Sequence, residues 1–413
     1  MNPNTFIKNI QYYKFCLYGF LKNLRFFEIF LLLFLLEKGL PFTQIGILYA
    51  VREIFINIFE IPSGFIADTH GRKNSLIASF IIYILTFIVF YISNEFWFFL
   101  IAFVLFGIGD AFRSGTHKGM IMDYLKLNKW ENQKINYYGH TRSWSQKGSA
   151  ISALIGGLIV FYGGQFQIIF LYSIIPYLAN LFIIASYPKE LNRVHDKNQL
   201  NSTNSIHSTI KTFIKIIRQP SVLKIINTSA MHTAYMKAIK DYIQPLMVNV
   251  ALIVPFLSNL DQERKNGAII GIIYFIIYLL TSHASKVSSK IESKSTRDIP
   301  YLTLLMGFIF GTICGISYYY EMWIIALIAF VAIFILENIR KPILTGYIAN
   351  NVPNTILTSV ISAQSLLKTI MTAGLALLLG IFADHFGIGV SFMILSLFLI
   401  ISNILITYRK QNN

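Results

Sequence analysis

The chain has 413 residues, of which 55% are hydrophobic and only 13% are charged. Soluble domains carry about 25% charged residues, so the composition excludes an ordinary soluble enzyme or binding domain. The formal net charge of +16 is typical of proteins that bind nucleic acid, but the lysines and arginines are concentrated in alternate loops between apolar segments. We therefore attribute the charge to membrane topology and expect no nucleic-acid partner.

Twelve apolar segments are long enough to cross a bilayer, because a transmembrane helix needs about 20 apolar residues. They lie near residues 13–36, 44–63, 75–93, 96–122, 138–162, 167–186, 222–254, 267–284, 299–319, 322–348, 357–383 and 386–407. The first segment is too long for a signal peptide, and no small-residue cleavage site follows it. The sequence therefore predicts an all-α membrane protein with twelve transmembrane helices.

One long polar segment, residues 187–220, divides these helices into six before it and six after it. We predict an N-terminal six-helix bundle at residues 1–186, a cytoplasmic linker at 187–220 and a C-terminal six-helix bundle at 221–413. The alternating basic loops place both termini in the cytoplasm by the positive-inside rule. Residues 209–218 alternate apolar and basic side chains, so a helix on the membrane surface and a solvated linker both remain open.

The loop between the second and third segments reads EIPSGFIADTHGRKNS (residues 60–75). It resembles the loop signature Gly-x-x-x-Asp-x-x-Gly-Arg-Lys of the major facilitator superfamily, matched here by Gly64, Asp68, Gly71, Arg72 and Lys73. The glycines allow a tight turn and a close approach of helices. Asp68 can cap the neighbouring helix, and Arg72 can reach a carboxylate such as Asp123. The resemblance implies that these six residues form a latch at the inner gate.

Three further stretches, residues 109–125, 137–157 and 337–353, look like a prokaryotic branch of this superfamily. The resemblance covers essentially the whole chain. It implies two six-helix bundles in a prokaryotic cytoplasmic membrane, with the substrate site near the midplane between them. The equivalent second-half loop, residues 282–298, lacks the Gly and Asp pattern, so we expect an asymmetric latch. The motif GIFADHFG (residues 380–387) is expected to connect two helices rather than form a second gate.

Charged side chains at membrane depth cost about 2.5–3.5 kcal/mol each, so they normally face a cavity or a partner. In the superfamily, the first, fourth, seventh and tenth helices line the central cavity. On these helices we predict substrate-binding residues Lys22, Arg25, Arg113, His117, Lys237 and Arg340, and proton-coupling residues Glu28, Asp110 and Glu337. Spacing by three predicts that Lys22, Arg25 and Glu28 share a helical face. Purely structural ion pairs stay open, and Lys118 and Arg142 can snorkel.

Basic residues outnumber acidic ones inside the predicted segments. Twelve of these basic residues are Lys22, Arg25, Arg52, Arg113, Lys118, Arg142, Lys147, Lys237, Lys240, Arg340, Lys341 and Lys368. The six acidic residues are Glu28, Glu53, Glu60, Asp110, Asp241 and Glu337. Pairing alone cannot neutralise this excess, and an unpaired buried cation is costly. The count therefore favours a small anionic substrate over a cationic drug.

No enzyme motif is present: the sequence lacks Gly-x-Ser-x-Gly, His-Glu-x-x-His and a Walker loop. We expect no catalysis, cofactor or metal site, and the two cysteines, Cys16 and Cys314, are expected to be core residues. An ion gradient, most simply of protons, would then drive transport by alternating access in a monomer. The alternatives are a proton-driven multidrug efflux pump and a non-transporting membrane receptor or assembly protein.

Overall fold

The computed structural model of the protein describes residues 8–192, 220–254, 260–292, 299–352 and 354–408. Fourteen α-helices and short 3₁₀ turns lie in this part of the chain, and it contains no β-strand. The predicted all-α fold is confirmed for these residues. Residues 209–218, for which a surface helix and a solvated linker were both open, and the end of the second-half loop at 293–298 lie outside them.

The helices cover nearly all of the described chain. In chain order they are α1 (Ile10–Leu21), α2 (Leu31–Glu37), α3 (Phe42–His70), α4 (Arg72–Ile92), α5 (Phe96–Arg113), α6 (Thr116–Leu127), α7 (Lys134–Gly163), α8 (Ile168–Ala185), α9 (Pro220–Ile239), α10 (Ile243–Leu252), α11 (Gln262–Glu292), α12 (Ile299–Tyr319), α13 (Trp323–Asn351) and α14 (Asn354–Tyr408). Each predicted membrane segment falls on one of these helices or on a consecutive pair.

Seven helical stretches of the described residues are long and apolar enough to cross a membrane. They are Arg72–Ile92, Phe96–Leu127, Ile168–Ala185, Gln262–Ala284, Ile299–Tyr319, Trp323–Leu344 and Val360–Leu405. The last stretch contains two predicted segments, because Gly387, at φ 79°, divides α14. The protein is therefore a multi-pass membrane protein, and the count of twelve spans stays a prediction.

The first predicted segment is not one continuous helix. The helix α1 ends at Leu21 and α2 begins at Leu31, with turns and irregular chain between them. The prediction that Lys22, Arg25 and Glu28 share one helical face is therefore wrong, because a spacing of three makes a face only where the chain is helical. This irregular stretch instead brings polar side chains and backbone groups to the interior.

The helices bury their polar and aromatic faces and expose their aliphatic ones. On α4, Phe80, Tyr83 and Phe87 are buried, whereas Ile81 and Leu85 on the opposite side are about half exposed. An aliphatic outer face has no favourable partner in water but is compatible with lipid. The pattern is that of a helix packed against protein on one side and a bilayer on the other.

Two compact units divide the chain. Unit 1 comprises Met1–Phe34, Val51–Leu200 and Asn259–Tyr278. In it, α4 packs against α5 and α8, and α1 packs against α7 and α8. Unit 2 comprises Leu35–Ala50, Asn201–Ser258 and Leu279–Asn413. In it, α12 packs against α13 and α14, and α9 packs against α14.

Candidate functional site

Side chains from elsewhere in unit 1 form hydrogen bonds with the backbone at the C-terminal end of α1. The last carbonyls of a helix have no intrahelical donor and need another partner. The Asn180 amide donates to the Tyr18 carbonyl at 3.2 Å, and the Tyr177 hydroxyl donates to the Lys22 carbonyl at 3.1 Å. The Asn23 amide donates to the Ser145 carbonyl at 2.6 Å. These bonds fix the point where the chain leaves the helix and where Arg25 enters the interior.

A second break separates α5 from α6. Gly115 has φ 73°, a backbone conformation that is costly for residues with a Cβ, and it precedes the first residue of α6. Serines of α3 and α4 donate hydrogen bonds to backbone carbonyls near the end of α5. Ser79 donates to the Gly109 carbonyl at 2.7 Å, and Ser63 donates to the Ala111 carbonyl at 3.0 Å. Asp110 and Arg113 therefore occupy the last turn of α5, held by α3 and α4.

Two arginines from different segments bind one carboxylate oxygen. Oδ1 of Asp110 accepts from Nη2 of Arg113 at 2.7 Å and from Nη2 of Arg25 at 3.2 Å. The Tyr83 hydroxyl also donates to this oxygen. The side chains of Arg25 and Asp110 are each only 15% exposed. We call these four residues the arginine cluster. It unites three predicted site residues, and its arginines exceed its carboxylates by one.

Two tyrosine hydroxyls orient the guanidinium groups of the arginine cluster. The Tyr177 hydroxyl accepts from Nε of Arg25 at 2.8 Å, and the Tyr83 hydroxyl accepts from Nε of Arg113 at 3.0 Å. Nη2 of Arg25 also donates to the Tyr83 hydroxyl at 3.3 Å. A guanidinium held at Nε keeps a fixed plane, which prepares its remaining N–H groups to bind another acceptor. The cluster is therefore ordered before any ligand arrives.

A cavity of about 400 Å³ lies beside the arginine cluster, within unit 1. Its charged lining residues are Lys22, Arg113, Lys118 and Arg142, and no carboxylate lines it among the described residues. Asn23, Thr141, Ser145 and Gln146 add neutral polar groups, and Phe15, Tyr18 and Tyr138 add aromatic ones. The volume is in the range of small-molecule sites, about 300–1,000 Å³. The arrangement can accept a small, negatively charged molecule.

His117 forms part of the cavity wall and is itself tightly packed. Its ring stacks on Tyr18 with centroids 3.6 Å apart, and its Nε2 lies 3.1 Å from the Tyr187 hydroxyl. Burial raises the pKa of the Tyr187 phenol well above its ordinary value, so this hydroxyl stays neutral and can donate to an imidazole nitrogen. These contacts make His117 a fixed element of the wall.

Unit 2 contains a separate buried charge group. The Glu337 carboxylate binds Nδ1 of His232 at 2.7 Å through Oε2 and accepts from the Thr233 hydroxyl at 2.9 Å through Oε1. Lys341 lies 3.8 Å from Oε1, and the side chain of His232 is fully buried. The carboxylate of a predicted proton-coupling residue is thus bound to an imidazole, which was not predicted.

Arg340 and Lys237, two predicted substrate-binding residues of unit 2, have different surroundings. Arg340 is 1% exposed. Its Nη1 donates to the Pro300 carbonyl at 2.7 Å, and its Nη2 donates to the Thr228 carbonyl at 2.9 Å. Lys237 lies in the last turn of α9 and is half-buried. Both terminal nitrogens of the Arg340 guanidinium thus donate hydrogen bonds to protein oxygens.

The loop signature between α3 and α4 forms a three-helix contact in unit 1. Nη1 of Arg72 binds Oδ2 of Asp123 on α6 at 2.7 Å, and Nη2 lies 3.9 Å from Oδ1 of Asp68 on α3. Gly71, at φ 92°, makes the turn between the two helices, as expected. The predicted Arg72–Asp123 bridge is present.

The remaining signature residues differ in part from expectation. The backbone amide of Lys73, in the first turn of α4, donates to the side-chain oxygen of Asn192 at 3.1 Å. Asp68, the residue expected to cap this helix, pairs with Arg72 instead. The Lys73 ammonium donates to the Ala185 carbonyl at the end of α8 at 2.6 Å. In the described residues, a Cβ added at Gly64 would have no neighbour within 4 Å, so close helix packing does not explain that glycine.

Comparison with known proteins decides the family. A sequence model of the Major Facilitator Superfamily matches residues 16–373. The chain belongs to the major facilitator superfamily. A transporter of this superfamily from Bacillus subtilis (strain 168), the uncharacterized MFS-type transporter YxaM, is 26% identical over 381 residues, which cover 91% of this chain and 90% of the relative.

Solved structures of two transporters share the fold of this chain at low sequence identity. A mutant of the nucleoside transporter NupG superposes with a TM-score of 0.75 at 11% identity, covering 96% of this chain and 97% of NupG. A POT family transporter in complex with 5-aminolevulinic acid superposes with a TM-score of 0.71 at 13% identity, covering 98% and 97%. These similarities establish that the chain has a major facilitator fold.

Sequence reasoning missed several residues that build these sites in this major facilitator protein. Tyr83 and Tyr177 are two of 23 tyrosines, and no local pattern distinguishes them. Gly119 on α6 was also missed: a Cβ there would collide with the Arg72 guanidinium, which would have to shift from its place beside Asp123. Its position, four residues before Asp123 on one helical face, was the only available signal. In the described residues, no group of three His, Cys, Asp or Glu side chains is arranged to hold a metal ion.

Proposed function

We propose that this major facilitator transporter moves a small organic anion by alternating access, and that the anion binds at the arginine cluster and its cavity. The observation that carries the proposal is the sharing of one Asp110 oxygen by Arg25 and Arg113. Two guanidinium groups and one carboxylate leave an excess positive charge in a largely buried place. An anion would offset this excess, whereas a cation would add to it.

The two arginines would bind the anionic group of the substrate. A guanidinium binds a carboxylate or phosphate through two parallel hydrogen bonds. Since Nε of each arginine is held by a tyrosine, the outer N–H groups are the ones that would turn to the substrate. Lys22 and His117 line the cavity beside the cluster. Lys22 would contribute a basic group, and His117 would contribute a rigid part of the wall. We exclude Arg340 from the binding set, since protein carbonyls occupy its outer nitrogens.

Competition between the anion and Asp110 for the two arginines would couple anion binding to proton binding. While the arginines bind Asp110, its carboxylate is stabilised in the charged form. When an anion takes over their hydrogen bonds, Asp110 loses that stabilisation and can accept a proton. We propose Asp110 as the principal proton carrier. Glu28 and Glu337 are further candidates, of which Glu337 has His232 as its partner for a proton in unit 2.

The conformational cycle would use the contact between α3, α4 and α6 as its inner latch. Arg72, bound to Asp123 and Asp68, would hold these helix ends together in one state and release them in the other. The basic loops favour a bacterial cytoplasmic membrane with both termini inside. We further propose that the protein is a monomer. Its two six-helix bundles would comprise residues 1–186 and 221–413.

Uptake by purified protein in proteoliposomes tests this function. The assay offers benzoate, succinate and phenyl phosphate as anions, and ethidium and tetraphenylphosphonium as cations, with a pH gradient imposed in each direction. We expect uptake of at least one anion above protein-free liposomes and no uptake of either cation. Transport of the cations without any anion would contradict the proposal and support the multidrug efflux alternative.

A further inference from the structure

The cavity beside the arginine cluster carries more positive charge than a single carboxylate substrate requires. Four cationic side chains line it, and two of them, Lys118 and Arg142, belong neither to the arginine cluster nor to the predicted binding set. Among the described residues, neither forms a salt bridge with a carboxylate. The sequence allowed these two side chains to snorkel to the membrane surface; in the structure both are exposed, and both line the cavity.

These two residues lie on different helices, Lys118 on α6 after the break that follows α5, and Arg142 on α7. Lys118 lies in the first turn of α6, directly after Gly115, and its ammonium lies 5.6 Å from the centroid of the Tyr138 ring. Arg142 lies on α7 in the same helical segment as Tyr138 and Thr141, which also line the cavity. The start of α6 adds the partial positive charge of a helix N-terminus to the same wall. Charges from α1, α5, α6 and α7 therefore converge on one volume.

We infer that this cavity binds a doubly charged small organic anion, a phosphate monoester, with Lys118 and Arg142 binding the phosphoryl group together with Arg113. The inference rests on the proposed anion transport and names its substrate class. A phosphoryl group offers three acceptor oxygens and about two negative charges, so it can engage several cations at once. Arg113 is already bound to Asp110, and a monocarboxylate would offset only one of the two further charges, those of Lys118 and Arg142.

The rest of the cavity suits the organic part of such a molecule. Asn23, Thr141, Ser145 and Gln146 supply hydrogen-bonding groups, and Phe15 and Tyr138 supply apolar surface. A volume of about 400 Å³ accommodates a small monoester but not a long polymer. This combination of a cationic end and an amphipathic wall is expected for a site that recognises a charged group on a small organic body.

Calorimetric titration of the purified full-length protein tests the inference, with phenyl phosphate and benzoate as ring-matched probes at pH 8. Phenyl phosphate is expected to bind at least about tenfold more tightly than benzoate, which corresponds to one additional charge-assisted contact. Its advantage should fall at pH 5, because the second phosphate ionisation has a pKa near 6. Equal affinities for the two probes at pH 8 would overturn the assignment.

Two single variants and a matched control locate the site. Lys118→Gln and Arg142→Gln should each weaken phenyl phosphate binding about tenfold and change benzoate binding less than about threefold. Lys126→Gln is the control, because Lys126 is exposed, lies on the same helix α6 and is not a lining residue of this cavity. Unchanged phenyl phosphate affinity in both cavity variants, or an equal loss in the control, would refute the site.

Two further arms separate this inference from other outcomes. Nanodiscs containing phosphatidic acid test whether a lipid headgroup is the ligand, and displacement of phenyl phosphate by this lipid would overturn a soluble monoester. The proteoliposome assay separates the failure of the substrate class from the failure of the function. Transport of succinate or benzoate without phenyl phosphate would refute the monoester alone, whereas absence of all anion transport would refute the proposed function as well.

Discussion

Replacing Arg113 by lysine tests whether the arginine cluster binds an anion or only holds helices together. In the structure, Arg113 donates through Nη2 to Asp110 at 2.7 Å and through Nε to the Tyr83 hydroxyl at 3.0 Å. A lysine keeps the charge but has a single ammonium group, so it cannot reproduce this planar, two-point geometry. The substitution therefore separates the effect of geometry from the effect of charge.

The expected losses can be estimated from these contacts. Losing the charge-assisted hydrogen bond from the guanidinium to the Tyr83 hydroxyl costs about 1.5–3 kcal/mol of stability. Losing one of two charge-assisted hydrogen bonds to a bound anion costs about 1.5–3 kcal/mol, which is about tenfold to a hundredfold in affinity. Since Arg25 stays in place, Asp110 keeps a cationic partner and the protein should fold.

The assay combines anion affinity by calorimetry with the melting temperature of the purified protein. Arg340→Lys is the matched control, because Arg340 is a buried arginine of unit 2 that binds protein carbonyls. We expect Arg340→Lys to lower the melting temperature without changing anion affinity, and Arg113→Lys to lower the affinity. A well-folded Arg113→Lys protein with wild-type anion affinity would remove Arg113 from the binding site.

Three further substitutions test the latch and the second unit. Asp68→Asn should slow transport while anion binding in detergent stays within about threefold, since Asp68 touches only Arg72 of the latch; an equal loss of both would place it in the binding site. Gly119→Ala should also slow transport, because the added methyl displaces the Arg72 guanidinium, whereas Gly139→Ala, in open space on α7, should not. Asp384→Ala should destabilise the protein by about 0.5–2 kcal/mol, because its carboxylate accepts the amides of Phe42 and Thr43 that begin α3; an unchanged melting temperature would contradict this role.

The helices were predictable from sequence because their signal is local. Long apolar stretches with few charges specify membrane helices through composition alone, and each predicted segment falls on helical residues. The Arg72–Asp123 bridge was predictable because the loop signature fixes one partner and the adjacent helix offers a carboxylate at the same end. Asp384 lies shortly before the break in α14 at Gly387, and its capping of α3 depends on a contact between residues more than 300 positions apart.

The breaks inside helices and the partners across helices were not predictable. The spacing of Lys22, Arg25 and Glu28 is that of a helix, yet the chain there is held out of helical geometry by Tyr177 and Asn23. The partner of Arg25 in the structure is Asp110 on α5, a choice that depends on tertiary packing rather than on spacing. The same holds for Lys118, whose place on the cavity wall follows from the break at Gly115, and for Arg142, which reaches the same wall from α7.

Exchanging Asp110 and Arg113 in one double variant would not distinguish a structural ion pair from a binding site. A simple pair within one helix would be restored when the two residues exchange places. In the structure, Asp110 is bound by Arg25 and Tyr83 from other helices as well, so the exchanged carboxylate would leave both partners. The swap is therefore expected to fail whether the arginine cluster is structural or functional, and it does not discriminate.

The most direct test of proton-coupled anion transport compares wild-type protein with Asp110→Asn in proteoliposomes, using phenyl phosphate and the other anions of the uptake assay. The wild type should accumulate its anion against a concentration gradient when a pH gradient is imposed. The variant should retain anion exchange, which also shows that it is folded, but lose this accumulation, since Asn cannot carry the proton. Accumulation by the variant at the wild-type level would contradict the account.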